Sequence, residues 1–172
     1  MSVPVVQLLA AALAAGVAVT LWLAFRWLRR QPPRYMVIDG SNVMYWQDNV
    51  PSLSPVIQVL TRLTSQGYAP CIIFDANAGH KLVGRYCHHD AFARMLGLPA
   101  NQVMVVPKGT QADAFILAAA RDLGSRIVTN DRYRDWAEAH PEVAEAGHLI
   151  RGGFRDGQLW LTLGATARAD PA

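Results

Sequence analysis

Tyr35-Met36-Val37-Ile38-Asp39-Gly40-Ser41-Asn42 is the stretch that decides the fold. Four apolar, β-leaning residues run into an acid and then a Gly-Ser-Asn turn signal, which reads as a buried strand closed by a tight turn. The same pattern recurs downstream. Cys71-Ile72-Ile73-Phe74 is a second apolar run, closed by Asp75. Val103-Met104-Val105-Val106 is a third, and Arg126-Ile127-Val128-Thr129 is a fourth, followed by Asn130-Asp131. Segments with helical spacing lie between and after them. Ser54 to Gln66 has Val56, Ile57, Leu60 and Leu63 apolar; His88 to Leu96 ends at Gly97; Gln111 to Leu123 has Phe115, Ile116, Ala119 and Leu123 apolar. A short helix is expected over Tyr133 to Ala139, and late strands at His148-Leu149-Ile150 and Leu159-Trp160-Leu161, joined through Gly152, Gly153 and Gly157. Short strands apolar on both faces, alternating with helices, belong to a parallel sheet covered on both sides. The expected class is α/β, three layers around a central, mainly parallel sheet.

Upstream of that strand the composition changes. Met1 to Phe25 carries no charged residue, and a helix needs about 20 apolar residues to cross a bilayer. A cleaved signal peptide would put positive charge before a shorter apolar run and a small-residue cleavage site after it. Here Arg26, Arg29, Arg30 and Arg34 follow the run, and Trp22 and Trp27 sit at that end, where amphipathic aromatics favour the interface. The expectation is one N-terminal transmembrane helix, with Gln31-Pro32-Pro33 as a linker. The positive-inside rule puts everything beyond it on the cytoplasmic side, at the inner membrane if the cell is bacterial. The expected organisation is residues 1–33 as anchor and linker, 34–164 as the folded domain, and 165–172 as a disordered tail.

The gross numbers agree with one domain plus an appendage: 172 residues leave no room for two full cores. A formal net charge of +3 tolerates a polyanionic partner without proving one. Cys71 and Cys87 are too few for a disulfide framework and would stay reduced in a cytoplasmic domain.

In an open parallel sheet, ligands bind beyond the carboxyl ends of the strands. Asp39 follows strand one, Asp75 follows strand two, and Asp131 comes two residues after strand four. Asp113 lies in the first turn of the helix after strand three. Asp135 is four residues past Asp131, so a helix there would stack the two on one face. Such a cluster needs something to offset its repulsion, and Mg²⁺ does this with a few carboxylates and several retained waters. A metal so held orients and activates water and offsets charge on a phosphate, the chemistry of phosphodiester hydrolysis. Each acid also has a plainer reading. Thr110-Gln111-Ala112-Asp113 is similar to a capping box, Asn130 and Asp131 suit a helix cap, Asp135 suits a surface pair with Arg132 or Arg134, and Asp39-Gly40 and Asp75-Ala76-Asn77 suit simple turns.

Val37-Ile38-Asp39-Gly40-Ser41-Asn42-Val43 resembles the first-strand motif of the NYN domain, a branch of the PIN-like (Rossmannoid) nuclease superfamily, in its Regnase-type ribonucleases. Ala112-Asp113-Ala114-Phe115-Ile116 resembles the acidic helix start of that family. Val128-Thr129-Asn130-Asp131-Arg132-Tyr133-Arg134-Asp135 resembles its last motif. The three motifs occur in the family's order within Arg34 to Leu163. The resemblance implies an endoribonuclease that uses Mg²⁺ or Mn²⁺. The family's metal-holding acids map onto Asp39, Asp113, Asp131 and Asp135, and its turn asparagine onto Asn42, which would hydrogen-bond Asp39 or the scissile phosphate. The implied product carries a 5′-phosphate. PIN-like domains often pair, and tethering to a membrane would assist a homodimer. Where the family commonly has two consecutive acids, this chain has Ala112 before Asp113, one carboxylate fewer for the metal.

Other residues suit RNA contact. Lys81 and Arg85 lie in a stretch with His80, Tyr86, Cys87, His88 and His89 whose spacing fits no common structural zinc pattern. There the lysine and arginine would meet the phosphate backbone, and Tyr86 or a histidine would stack on a base. Lys108 precedes the acidic helix, and Arg132 and Arg134 flank the late acids, where they would steer an anionic substrate. Tyr45 and Trp46 are expected to pack. The main alternative function is a non-catalytic, membrane-tethered RNA-binding domain. A haloacid-dehalogenase type of phosphatase would want a second Asp where Ser41 stands. A membrane scaffold for a protein partner would bind no metal.

Overall fold

The computed structural model describes residues 15–22 and 33–164. Contacts divide the chain into two compact units, Met1–Pro33 and Arg34–Ala172. In the first, residues 15–22 are helical. Most of the expected transmembrane helix lies outside the described residues, as does the tail from Ala165. Among the described residues no helix is long and apolar enough to cross a membrane.

The second unit opens with β1 (Arg34–Asp39), the one-turn α1 (Gly40–Val43), α2 (Leu53–Ser65), β2 (Tyr68–Phe74), α3 (Ala78–Val83) and α4 (His89–Leu96). It continues with β3 (Val103–Val105), α5 (Ala112–Asp122), β4 (Arg126–Val128), β5 (Leu149–Ile150), β6 (Gly152–Arg155) and β7 (Gln158–Leu161). Among the described residues the main sheet has five strands in the order β3-β2-β1-β4-β5. All of its pairings are parallel. The fold class read from the strands is the one observed.

Side chains of a strand alternate between its faces, and the core divides accordingly. Met36 and Ile38 of β1 join Val56, Val59, Leu60 and Leu63 of α2 and Phe92 of α4 on one face. Val37, between them, joins Ile116, Leu117 and Ala120 of α5 on the other. The helices therefore cover both faces of a sheet whose central strand is apolar and buried from Met36 to Ile38. Phe74 stacks on Phe92 with ring centroids 4.2 Å apart, which fixes the end of β2 against α4.

Four local expectations need correction. The segment after β4 forms only a 3-10 turn, Arg134–Trp136, rather than a helix over Tyr133 to Ala139. Tyr133 has φ 47°, in the left-handed region, so a right-handed helix cannot start there. Gly152 and Gly153 are strand residues of β6, which pairs antiparallel with β7 in a separate two-stranded sheet, rather than a connector. Ile57 is exposed, and the buried stripe of α2 runs through Val59 instead. Finally, Thr110 Oγ1 donates to Pro107 O, and Gln111 occupies the N-cap of α5 with no side-chain cap bond, so the capping box does not form.

Helix α3 ends at Gly84, whose φ is 73°. Nothing lies within 4 Å of the position a Cβ would take there. Gly84→Ala therefore reports backbone conformation alone, with an expected cost of about 1 kcal/mol. The shift of a urea unfolding midpoint checks it; an unchanged midpoint would mean that α3 ends differently in solution.

Candidate functional site

The acids gather at the carboxyl edge of the sheet because the strand register brings them there. β1 and β4 pair with Ile38 opposite Val128, so the next residues, Asp39 and Thr129, become neighbours where the strands end. β1 and β2 pair with Asp39 opposite Ile73, which carries Asp75 to the same edge. Asp113 enters from the first turn of α5.

Asp39 is the most constrained of them, at 6% exposed. One carboxylate oxygen accepts the backbone N–H of Asn42 at 3.0 Å and caps α1. The other accepts Thr129 Oγ1 at 3.0 Å and the Tyr133 hydroxyl at 3.1 Å. Burial pushes its pKa up to about 6, against the three hydrogen bonds, which lower it, while the charge of Asp113 adds a smaller upward push. An ionised carboxylate has about four lone-pair sites. Three are occupied, and one is left for a cation.

The donors are themselves held. Thr129 Oγ1 accepts the backbone N–H of Asp131 at 3.0 Å, and Asp131 Oδ1 accepts that of Tyr133 at 2.8 Å. A closed circuit thus runs from Asp39 through Thr129, Asp131 and Tyr133 back to Asp39. Tyr133 is 2% exposed, and its left-handed φ turns the chain so that the phenol points inward. A bulky residue in that region is unusual and persists only where its surroundings over-determine it.

Asn42, whose backbone N–H is capped by Asp39, is also a strut. Its Oδ1 accepts Trp46 Nε1 at 2.8 Å and the backbone N–H of Asn130 at 2.9 Å. Two N–H donors on one atom identify that atom as the oxygen, which leaves Nδ2 as a donor for a group outside the fold. Asn130 in turn grips Gly152, with Nδ2 donating to its carbonyl at 2.8 Å and Oδ1 accepting its N–H at 3.3 Å. Arg151 Nη1 donates to Asp131 O at 2.8 Å. The β6–β7 hairpin is tied to the acid edge through these contacts.

Asp113 is half-buried. Burial raises its pKa first, then repulsion from Asp131 and, more weakly, Asp75, against a hydrogen bond from Trp136. Asp113 therefore lies within electrostatic reach of Asp39, Asp131 and Asp75. Asp135 is exposed in the 3-10 turn. Asp131 precedes that turn outside any helix, so the expected i, i+4 stacking of the two does not occur. Tyr45 and Trp46 pack against the core. Arg85, Lys108, Arg132 and Arg134 are exposed, and Lys81 Nζ lies over the Tyr45 ring, 5.5 Å from its centroid.

Electrostatics and geometry pull apart on the metal. The acids repel one another, yet among the described residues no three acidic, histidine or cysteine side chains form a ready ligand group. Spaced carboxylates with hard oxygen donors and a free lone pair on Asp39 could hold a hard divalent cation that keeps several of its waters. Thr129, Tyr133 and Arg151 were not named as site residues by the sequence reading, and Asn130 was read only as a helix cap. Thr129 and Tyr133 lie inside the last motif, but only the register and the left-handed φ show that they serve Asp39.

The buried charge couples stability to pH. The folded pKa of Asp39, about 6, exceeds the ordinary 3.8, so the folded state holds this proton more tightly. The resulting stabilisation is complete below about pH 4 and is lost as pH rises through about 6, leaving a cost of about 3 kcal/mol at neutral pH. Asp113 shifts the same way. Glu142, a half-buried partner of the exposed Arg121, is held down to about 2 and acts oppositely, but only in stronger acid. In EDTA, the protein is expected to gain about 1 kcal/mol between pH 7 and pH 5 from Asp39. Urea midpoints at the two values check this; a loss of stability would contradict the raised pKa.

A family model described as "Zc3h12a-like Ribonuclease NYN domain" matches residues 32–160. No curated protein matches the chain. Among solved structures it is similar to Arabidopsis thaliana nuclear protein-only RNase P 2 (PRORP2), at 21% identity and a TM-score of 0.51 over 95% of this chain. A second structure, of nuclear proteinaceous RNase P 2 from A. thaliana, gives 21% identity and a TM-score of 0.49 over 93% of this chain. The chain spans 37% and 36% of the lengths of those two, and at this identity the likeness bears on the fold.

Proposed function

Because the chain belongs to the Zc3h12a-like ribonuclease NYN domain family, we propose that it is a metal-dependent endoribonuclease whose site is the acid edge around Asp39. The observation that carries this is Asp39 itself: buried, gripped by three donors, and still charged or nearly so at neutral pH at an energetic cost. A group kept ionisable against its surroundings is more readily explained by a bound cation than by folding.

In this reading Asp39, Asp113 and Asp131 hold Mg²⁺ or Mn²⁺ directly or through water, and Asp135 contributes from outside that set. The cation supplies a polarised phosphate oxygen and a more acidic water. The chain's own residues do the rest. Thr129 and Tyr133 fix the orientation of the Asp39 carboxylate, Asn42 Nδ2 is the donor available to a phosphate oxygen, and Lys108, Arg85, Arg132 and Arg134 supply positive charge around the acids. Lys81 adds a further positive charge from over the Tyr45 ring. The uncharged run through Phe25, followed by Arg26, Arg29 and Arg30, supports an N-terminal membrane anchor with the nuclease domain on the cytoplasmic face.

The test is cleavage of end-labelled RNA by the full chain in detergent, with Mg²⁺, Mn²⁺ or EDTA. The reading expects internal cuts that need the cation and leave 5′-phosphate ends. RNA bound but left intact under all three conditions would favour the non-catalytic alternative, with the missing acid at Ala112 as its physical reason.

A further inference from the structure

Beside the acid edge lies a cavity of about 310 Å³ lined by Ala76, Asn77, His80, Tyr86 and Lys108. Ala76 and Asn77 follow Asp75 directly, and Lys108 is in the loop that leads into α5 and Asp113. The lining contains an aromatic ring, an amide, an imidazole and an ammonium group, and no acid. Tyr86 is 44% exposed. Exposing an aromatic of this size forfeits burial, yet the ring is held in place. His88 meets it edge-on at 4.8 Å. The loop that carries it is clamped to α3: a Cβ on Gly79 would stand 2.6 Å from the Cys87 backbone nitrogen and 2.7 Å from Arg85 O. The buried Cys87 anchors the same loop from below. Asn77 occupies the N-cap of α3 but makes no cap bond with its side chain, although Asn is among the best capping residues.

We propose that this cavity is a nucleobase subsite: a single unstacked base of RNA lies on the Tyr86 ring, Asn77 and His80 meet its polar edge, and Lys108 meets the adjoining phosphate. The proposal rests on the ribonuclease reading for the nature of the polymer, and it names the substrate class: RNA with a single-stranded nucleotide next to the cut. Bases in a duplex are stacked on their neighbours and cannot offer a face to Tyr86. Stacking on an aromatic tolerates any base, so the subsite selects strandedness more than sequence.

Binding is measured by fluorescence anisotropy with the full chain in detergent, in an Asp39→Asn background that does not cut. The probes are a labelled single-stranded RNA and a blunt RNA duplex. Tyr86→Ala is expected to weaken single-strand binding about tenfold, in line with the loss of one stacked base, and to leave duplex binding unchanged. Tyr86→Trp is expected to restore it, which separates stacking from a loss of folding. Equal binding of the single strand by Tyr86→Ala, or equal weakening on both probes, would overturn the subsite. The two readings fail separately. Cation-dependent cutting that is indifferent to Tyr86→Ala sinks the subsite and leaves the nuclease, whereas Tyr86-dependent binding by a wild type that never cuts leaves the subsite and sinks the nuclease.

Discussion

Full-chain protein carrying Asp39→Asn is expected to lose RNA cleavage by more than the roughly 10- to 100-fold that follows loss of an outer partner of a metal ligand, while melting no lower than wild type in EDTA at neutral pH. The two halves share a cause. Asp39 costs the metal-free fold about 3 kcal/mol when ionised at neutral pH, because burial outweighs the three hydrogen bonds that favour its charge. An asparagine fits the same space without that charge. Its oxygen can accept the N–H of Asn42, and its amide can donate to Thr129 and Tyr133, whose hydroxyls accept as readily as they donate. Activity assays and melting curves on the same preparation check the pair. Loss of cleavage with a lower melting temperature would mean that Asp39 is a structural cap and that the variant has unfolded.

Tyr133→Phe separates the carboxylate from its support. It deletes one buried hydroxyl, 3.1 Å from Asp39, and leaves a ring that fills the same space. Removing a donor from a carboxylate raises its pKa. Cleavage is expected to fall about 10- to 100-fold at neutral pH, and the acidic limb of the pH–rate profile should move upward from its wild-type position. A higher concentration of Mn²⁺ should recover part of the rate. A rate reduced equally at every pH and every Mn²⁺ concentration would point to damaged packing instead of an altered Asp39.

Much of this arrangement was legible in the sequence because it depends on short-range signals. Each apolar run that ends in an acid is a strand, and the carboxyl-edge rule for parallel sheets places Asp39, Asp75 and Asp131 together without knowledge of any contact. The parts that were not legible depend on what is paired across the chain. Tyr133 looked like the start of a helix because Tyr133 to Ala139 contains nothing that breaks one, but its hydrogen bond to Asp39, 94 residues earlier, holds it in the left-handed region. The role of Thr129 follows from a register between β1 and β4 that no local pattern encodes. Asn42 was read as a donor to Asp39 or to substrate. Its backbone does reach Asp39, and its side-chain oxygen braces Trp46 and Asn130. On α5 the chosen Ile116 faces the core, joined there by Leu117 and Ala120, while Phe115 and Ala119 pack at its rim and, with Leu123, line an apolar groove of about 730 Å³ beside the edge strand β3. A helix apolar on more than one side does not reveal from its period which side meets the sheet.

The central claim is that the acids around Asp39 hold a divalent cation, and Mn²⁺ binding to the full chain, followed by the loss of the free-ion electron paramagnetic resonance signal, tests it most directly. The account predicts saturable binding that weakens as pH falls below about 6, in step with protonation of Asp39, and that disappears in Asp39→Asn. Binding of equal strength in wild type and Asp39→Asn, or binding indifferent to pH across that range, would contradict it.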